Sequence, residues 1–220
     1  MALWQYLGAW SWVSKWIYHL DWNANDSSGN SANGTATNIT WQWWTIWTWS
    51  ALFVRTSASK IVTPFADPWS ASTFIWKIKT TTSASSTNEY TFITKRNWTF
   101  TFQFTMKWWL SSNKIHLNDW GVTWTTIATS AINDWKWHTV AMVMSNSTTA
   151  TVYTDGNQTW TSSSFSFVTQ SFSNWNLLWD FNTWWRAFDW SMDEFIVENR
   201  AWTASEIRKY HTYSRWFFIL

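Results

Sequence analysis

Three carboxylates crowd one short stretch of the chain, Asp193-Glu194-Phe195-Ile196-Val197-Glu198. Paired carboxylates are what glycoside hydrolysis requires, one to protonate the leaving oxygen and one to attack or to activate water. An enzyme that mounts such a pair on a single strand places them on alternate residues, so that they project from one face. Here Phe195 occupies the position between, and Asp193 and Glu198, five residues apart, fall on opposite faces of a regular strand. The stretch therefore reads as a strand start pinned by Asp193 and Glu194, with Arg200 as a charge partner, and glycoside hydrolysis ranks as the least favoured function. The four histidines, His19, His116, His138 and His211, show neither the i, i+4 helical spacing nor the strand pairing of a zinc site. With no cysteine in the chain, thiolate metal ligands, cysteine nucleophiles and disulfides are excluded together. Neither a Gly-rich phosphate loop before a helix nor a Gly-x-Ser-x-Gly elbow is present. Asn38, Asn97, Asn146 and Asn157 open Asn-x-Ser/Thr triplets, glycosylation acceptors by pattern, although a chain this rich in threonine generates most of them by chance.

The bulk composition narrows the partners. Charged residues make up 13% of the chain and the net charge is +2, too little for a basic face that tracks phosphates, so nucleic acid is not an expected partner. No run approaches the ~18 uninterrupted apolar residues of a membrane span. The opening segment, residues 1–20, is aromatic but has no basic leader and no small-residue cleavage site, so it does not read as a signal peptide. Val13 to Leu20 reads as a first strand, with an interfacial membrane anchor as the alternative. The abnormal counts are 27 tryptophans and 5 glycines in 220 residues, since an ordinary chain carries roughly 7% glycine.

Apolar and polar residues alternate in short segments, the pattern of half-buried strands. Thr73 to Lys79, Thr99 to Met106, Trp137 to Met144 and Ala150 to Thr154 are the clearest, and Asp26 to Asn38 and Thr80 to Asn88 read as loops between strands. Asp155-Gly156 is a two-residue hairpin signal, because both central positions of a type I′ turn need positive φ. One short helix is expected at the far end, opened by the capping box Thr203-Ala-Ser-Glu206 and buried through Ile207, Tyr210 and His211. The pattern predicts an all-β fold, a two-sheet antiparallel sandwich with that C-terminal helix, and no linker or repeat divides residues 1–220 into more than one domain.

Two segments carry a family likeness. Ile132-Asn-Asp-Trp-Lys-Trp-His-Thr-Val-Ala141, followed by a strand ending in Asp155-Gly156, resembles the Asp-Gly-x-Trp-His-x-Val-Ala signature of the laminin-G-like (concanavalin A-like lectin) jelly-roll modules. Phe188 to Ile207 resembles that family's Gly-Ser-Ile-Asp-Glu, strand, Asn-Arg-Ala-Leu and capped helix, and Asp26-Ser-Ser-Gly-Asn30 resembles its Asp-Ser-Ser-Gly-Asn loop. The marks come in the family's order. Against them, Trp135 and Trp190 stand where the family has glycine, and Trp22, Trp43, Trp44, Trp47, Trp49, Trp120, Trp179, Trp184 and Trp185 stand in glycine-like turn contexts. Trp137 stands where the family has tryptophan, and Trp76 and Trp16 also read as genuine. One reading is that UGA codons meaning glycine in the source are rendered as tryptophan. Such residues should sit exposed at turns, several at positive φ. The rival reading is an aromatic face that stacks on sugars.

The resemblance implies a jelly-roll binding module of a secreted or cell-surface protein, non-catalytic, whose ligand is a glycan, a glycoprotein or another protein. The alternative is an architectural interaction domain without a sugar site, within a longer surface protein. The resemblance also implies calcium as the ion to expect, with Asp26, Asn30, Asp193 and Glu194 as its candidate ligands, although an Asx-turn and a strand-end charge account for the same residues.

Overall fold

The alternating segments pair into two antiparallel sheets that share one core. The structure, a computed structural model, describes residues 14–45, 48–54, 59–64, 71–81, 89–96, 101–107, 113–119, 125–126, 131–146, 148–162, 175–177 and 190–219. In chain order the strands are β1 (Ser14–Tyr18), β2 (Thr35–Thr37), β3 (Thr40–Thr45), β4 (Thr48–Phe53), β5 (Lys60–Thr63), β6 (Ser72–Lys79), β7 (Glu89–Arg96) and β8 (Thr101–Lys107). They continue with β9 (Ile115–Asp119), β10 (Thr125–Thr126), β11 (His138–Met144), β12 (Ala150–Thr154), β13 (Asn157–Ser162), β14 (Trp175–Leu177) and β15 (Trp190–Glu198), and the chain then enters helix α1 (Ala204–Ile219). One sheet runs β13-β12-β11-β6-β15-β4-β3 with β1 also on β15, and the other runs β10-β9-β8-β7-β14-β5-β2.

Period-two alternation decides which residues meet. Phe74, Trp76 and Ile78 of β6, Val140, Met142 and Met144 of β11 and Val152 of β12 face inward, where Ile61 of β5 and Ile115 of β9 join them from the second sheet. The opposite face of the first sheet offers Ile75, Ala141, Val143, Tyr153 and Ile196, and α1 closes over these with Ile207 and Tyr210, beside Trp202. The expected capping box forms: Thr203 donates its N–H to Glu206 Oε2 at 2.8 Å, and Glu206 donates its N–H back to Thr203 Oγ1 at 3.3 Å. The expected C-terminal helix, α1, spans 16 residues. The Asp155-Gly156 hairpin joins β12 to β13 with φ of 53° and 78°, as a type I′ turn requires.

Strand β15 departs from the sequence expectation. Asp193 pairs with Lys77 and Ile196 with Ile75, so three steps on β15 match two on β6, and Glu194 lies in the bulge at φ 54°. The bulge reverses the alternation. Met192 faces the core before it, Phe195 and Val197 after it. Asp193 and Glu198 consequently project from the same helix-covered face, which corrects the opposite-face reading of a regular strand.

The tryptophans divide. Trp16 and Trp76 are core residues. Trp135 has φ 64° and is 46% exposed, and Trp22 is 60% exposed, as expected of turn positions. Trp43, although 51% exposed, lies with Trp44 in strand β3, and Trp49 in β4, which corrects the turn reading of those three. Trp190 does not follow the exposed-turn expectation: it is 1% exposed, inside β15, and its ring stacks on Phe53 with centroids 4.9 Å apart. Trp47, Trp120, Trp179, Trp184 and Trp185 lie outside the described residues.

Candidate binding site

Two strands compete for one edge of β15. β4 pairs with Trp190–Met192 and β1 with Phe195–Glu198, which leaves the bulge residues Asp193 and Glu194 in a notch between the two strand ends. The chain leaving β1 folds back over this notch. The Glu194 N–H donates to the His19 carbonyl at 3.3 Å, and the His19 ring meets the Glu194 carboxylate with Nδ1 at 3.0 and 3.2 Å from its two oxygens. Burial alone would lower the His19 imidazole, but the Glu194 charge and hydrogen bond, with the Asp21 charge, hold it above its ordinary value. Asp21, on the rim, is pushed up by burial and by Glu194, against the pull of His19 and of the Trp49 backbone N–H.

Beneath this rim the side chains are buried and polar. Asp193 and Lys77, register partners, are each 2% exposed. Burial, then the charges of Glu194 and Asp21, raise the Asp193 carboxyl well above the usual range, against the opposing effect of Lys77. Ser191 and Ser50 alternate with core residues and so face the same side, where Tyr210 descends from α1. Asp193 Oδ1, Ser50 Oγ, Ser191 Oγ and Tyr210 OH are buried there without a hydrogen-bond partner. Four orphaned polar atoms on one small patch are unusual, because buried polar groups are nearly always paired with protein or with bound polar atoms. Beside the rim lies an aromatic group: the Trp22 and Trp49 ring centroids are 5.3 Å apart, and Trp43 meets Trp49 edge-on at 4.9 Å.

The four residues expected to ligate calcium do not come together as one set. Asp193 and Glu194 lie in the notch. Asp26 instead accepts the N–H groups of Ile17 and Ser28 on Oδ1, at 3.1 and 2.9 Å, and the Ser28 hydroxyl and Ala32 N–H on Oδ2, at 2.8 and 3.2 Å. Those four bonds fill the acceptor positions a carboxylate offers, so Asp26 works as a turn lock and does not fit a metal ligand. The Asn30 side chain donates to Ser28 Oγ at 3.0 Å within the same turn. Among the described residues no three His, Asp or Glu side chains converge closely enough to hold a metal ion. Nor does Arg200 pair with Asp193 or Glu194 as expected. Its Nε lies 3.1 Å from Glu198 and its Nη1 2.8 Å from Glu206, and Glu198 also accepts the Trp202 indole N–H.

A second constellation escapes the sequence reading, which finds in His138 only a histidine without zinc-site spacing. Its Nδ1 lies 2.8 Å from Asp155 Oδ2 and its Nε2 2.9 Å from Asp134 Oδ1. Because both ring nitrogens face carboxylates, both must carry protons, and the ring is an imidazolium. Burial opposes this charge, but Asp155 and then Asp134 outweigh it and raise the His138 value. Asp155 also accepts the Thr139 N–H at 2.9 Å, and His211 of α1 lies 3.8 Å from it. The clasp ties the loop before β11 and the β12–β13 hairpin to the start of β11, next to α1. Its sequence signal was present in the Asp134-x-x-x-His138 spacing and in the hairpin aspartate, but only the folded hairpin brings Asp155 to the ring.

The fold is shared with solved structures. The binding domain of botulinum neurotoxin DC, solved in complex with rat synaptotagmin II, superposes with a TM-score of 0.72 at 12% identity over 92% of this chain and 52% of that one. The binding domain of Paraclostridial Mosquitocidal Protein 1 gives 0.68 at 14% over 88% and 49%. The receptor-binding domain of botulinum neurotoxin type G gives 0.68 at 15% over 92% and 51%. The chain thus spans about half the length of the structures it matches, and at these identities the likeness is one of fold. No protein-family model and no curated protein matches the chain. The comparisons support the β-sandwich and do not single out the laminin-G-like family within it.

Proposed function

We propose that the chain is a non-catalytic, lectin-like binding module of a secreted or cell-surface protein, and that it takes a glycan or glycosylated partner at the notch of β15. One observation carries this reading. At a strained, non-glycine bulge residue, carboxylates and an imidazole converge over buried polar atoms that have no partner within the protein. Backbone strain and unpaired polar groups together mark places where a fold gives up stability for binding. The fold agrees, since the similar structures are binding and receptor-binding domains. A glycan array probed with and without calcium tests the reading: binding that maps to the notch supports it, and calcium dependence would require ligands beyond those gathered there.

A second reading, a protein-interaction domain without a sugar site, is favoured by the exposed rings of Trp22 and Trp43 around Trp49, an apolar patch of the kind that marks protein contacts. Failure to bind any glycan, with capture of a protein partner that Trp22→Ala abolishes, would establish it. The aromatic patch itself is open to the recoding described above. The notch is not, because none of its polar groups comes from a tryptophan side chain.

A further inference from the structure

The two nitrogens of His138 are held unequally, so the proton on one of them decides the position of one loop. We propose that residues 134–136 form a pH-operated latch, shut over the end of β6 while His138 is an imidazolium and released when the ring becomes neutral. Asp155 holds Nδ1 and also accepts the Thr139 N–H on its other oxygen at 2.9 Å, so it stays tied to β11 in either form of the ring. His211 of α1 sits on this side, 3.8 Å from Asp155, and strengthens the asymmetry when charged. Asp134 is the more exposed partner, 41% against 31% for Asp155, and reaches the ring from the loop. A neutral ring therefore keeps its proton on Nδ1 and turns the Nε2 lone pair toward Asp134 Oδ1 at 2.9 Å, an acceptor facing an acceptor.

The loop moves with that carboxylate. Asp134 Oδ1 accepts the Lys136 N–H at 2.9 Å, and the Lys136 ammonium lies 3.4 Å from Oδ2. Between them Trp135 is held at φ 64°, a left-handed dihedral that strains an L side chain. Its N–H donates to the carbonyl of buried Thr80 at 3.0 Å, and the Lys79 ammonium lies 4.3 Å from its ring centroid. Opening relieves the strain, parts both contacts and uncovers Lys79 and the Thr80 carbonyl at the end of β6, where Lys79 pairs with Ser191 of β15. With glycine at position 135 the strain and the ring contact go, but the Nε2–Asp134 contact that sets the pH dependence is the same. The charged and titratable groups packed around the ring are Asp134 and Lys136 from the loop, Asp155 from the hairpin, His211 and Arg208 from α1 and Lys79 from β6. Burial lowers the His138 value, and Asp155 and then Asp134 raise it by more, so release sets in above about pH 6.5.

The test is amide exchange of the intact, isotopically labelled chain from about pH 5.5 to 9, read as protection relative to the unfolded exchange rate at each pH, beside the titration of the His138 ring itself. Protection of the Trp135 and Lys136 amides should fall roughly threefold to fivefold, the scale of one exposed ion pair, with its midpoint at the ring's own titration. Met142 and Val152, paired in the β11–β12 ladder, should keep theirs. Asp134→Asn, a substitution at an exposed side chain, should abolish the pH dependence, because an amide turned one way accepts from Nε2–H and turned the other donates to its lone pair. Protection at Trp135 and Lys136 that stays level across the titration, that falls together with Met142 and Val152, or that falls equally in Asp134→Asn overturns the latch.

Discussion

Replacing His138 with alanine removes the clasp at its centre, and the structure sets the scale of the loss. The bond to Asp155, whose side chain is 31% exposed, counts as a hydrogen bond between charged groups, about 1.5–3 kcal/mol. The bond to Asp134, 41% exposed, is discounted for solvent screening to about 0–1 kcal/mol. The variant should therefore be about 2–4 kcal/mol less stable at pH 6, once the loss of a nearly buried ring is included. The sign with pH follows from the shifts. The folded His138 value is raised above its unfolded 6.5, so its stabilisation is full below about pH 6.5 and is lost as pH rises through the folded value. Asp134 and Asp155 are lowered below 3.8, so their contribution is present above about pH 4 and is lost as pH falls through their folded values. The charged groups facing the clasp are Asp134 and Lys136 from the loop, Asp155 from the hairpin and His211 from α1. Urea unfolding followed by tryptophan fluorescence from pH 4.5 to 9 reads the difference. The gap between wild type and His138→Ala should be widest near pH 5–6 and narrow toward pH 9. A residual decline should persist in the variant, because His19 has the same sign. A gap that is constant across the range would refute the imidazolium assignment.

Four further outcomes are expected. Trp135→Gly relieves an L-residue at φ 64°, about 1–2 kcal/mol, against about 0.5–1 for glycine's extra unfolded freedom and about 0.5–1 for the lost Lys79 contact, so stability should change by less than about 1 kcal/mol. Trp190→Gly empties a core position stacked on Phe53 and should cost roughly 3–6 kcal/mol in the same urea assay. If the source encodes glycine at Trp135, a UGA codon stands there, and UGG would contradict the recoding at that site. Thr203→Ala removes the N-cap of α1 and should lower stability by about 1 kcal/mol in thermal unfolding, an effect that Thr203→Ser should largely restore.

What the sequence made legible was local. Ala150 to Thr154 alternates cleanly and is β12 over that whole span, Asp155-Gly156 needs only its own dihedrals to declare a turn, and Thr203 and Glu206 cap α1 through atoms three residues apart. The site was not legible, because a bulge is set by what lies on either side of a strand. Nothing in Asp193-Glu194-Phe195 announces that β1 and β4 divide the edge of β15, so the period-two reading of Asp193 and Glu198 failed where the pairing slips. Likewise Asp26 and Asn30 carry the composition of an ion loop, and only the positions of the Ile17 and Ala32 amides show that the carboxylate is already satisfied. Trp190 shows the opposite limit. A glycine-like motif position predicted an exposed turn, and the core around Phe53 accepts the ring.

The central claim, that the notch of β15 is the binding surface, is tested most directly by titrating a neutral hexose oligosaccharide into the isotopically labelled chain and following backbone amide shifts. The account predicts that the perturbed amides cluster at His19, Asp21, Ser50, Ser191, Asp193 and Glu194, with the amides around His138 and along β8 unmoved. Saturable shifts centred on any other surface, with those six unchanged, would contradict it.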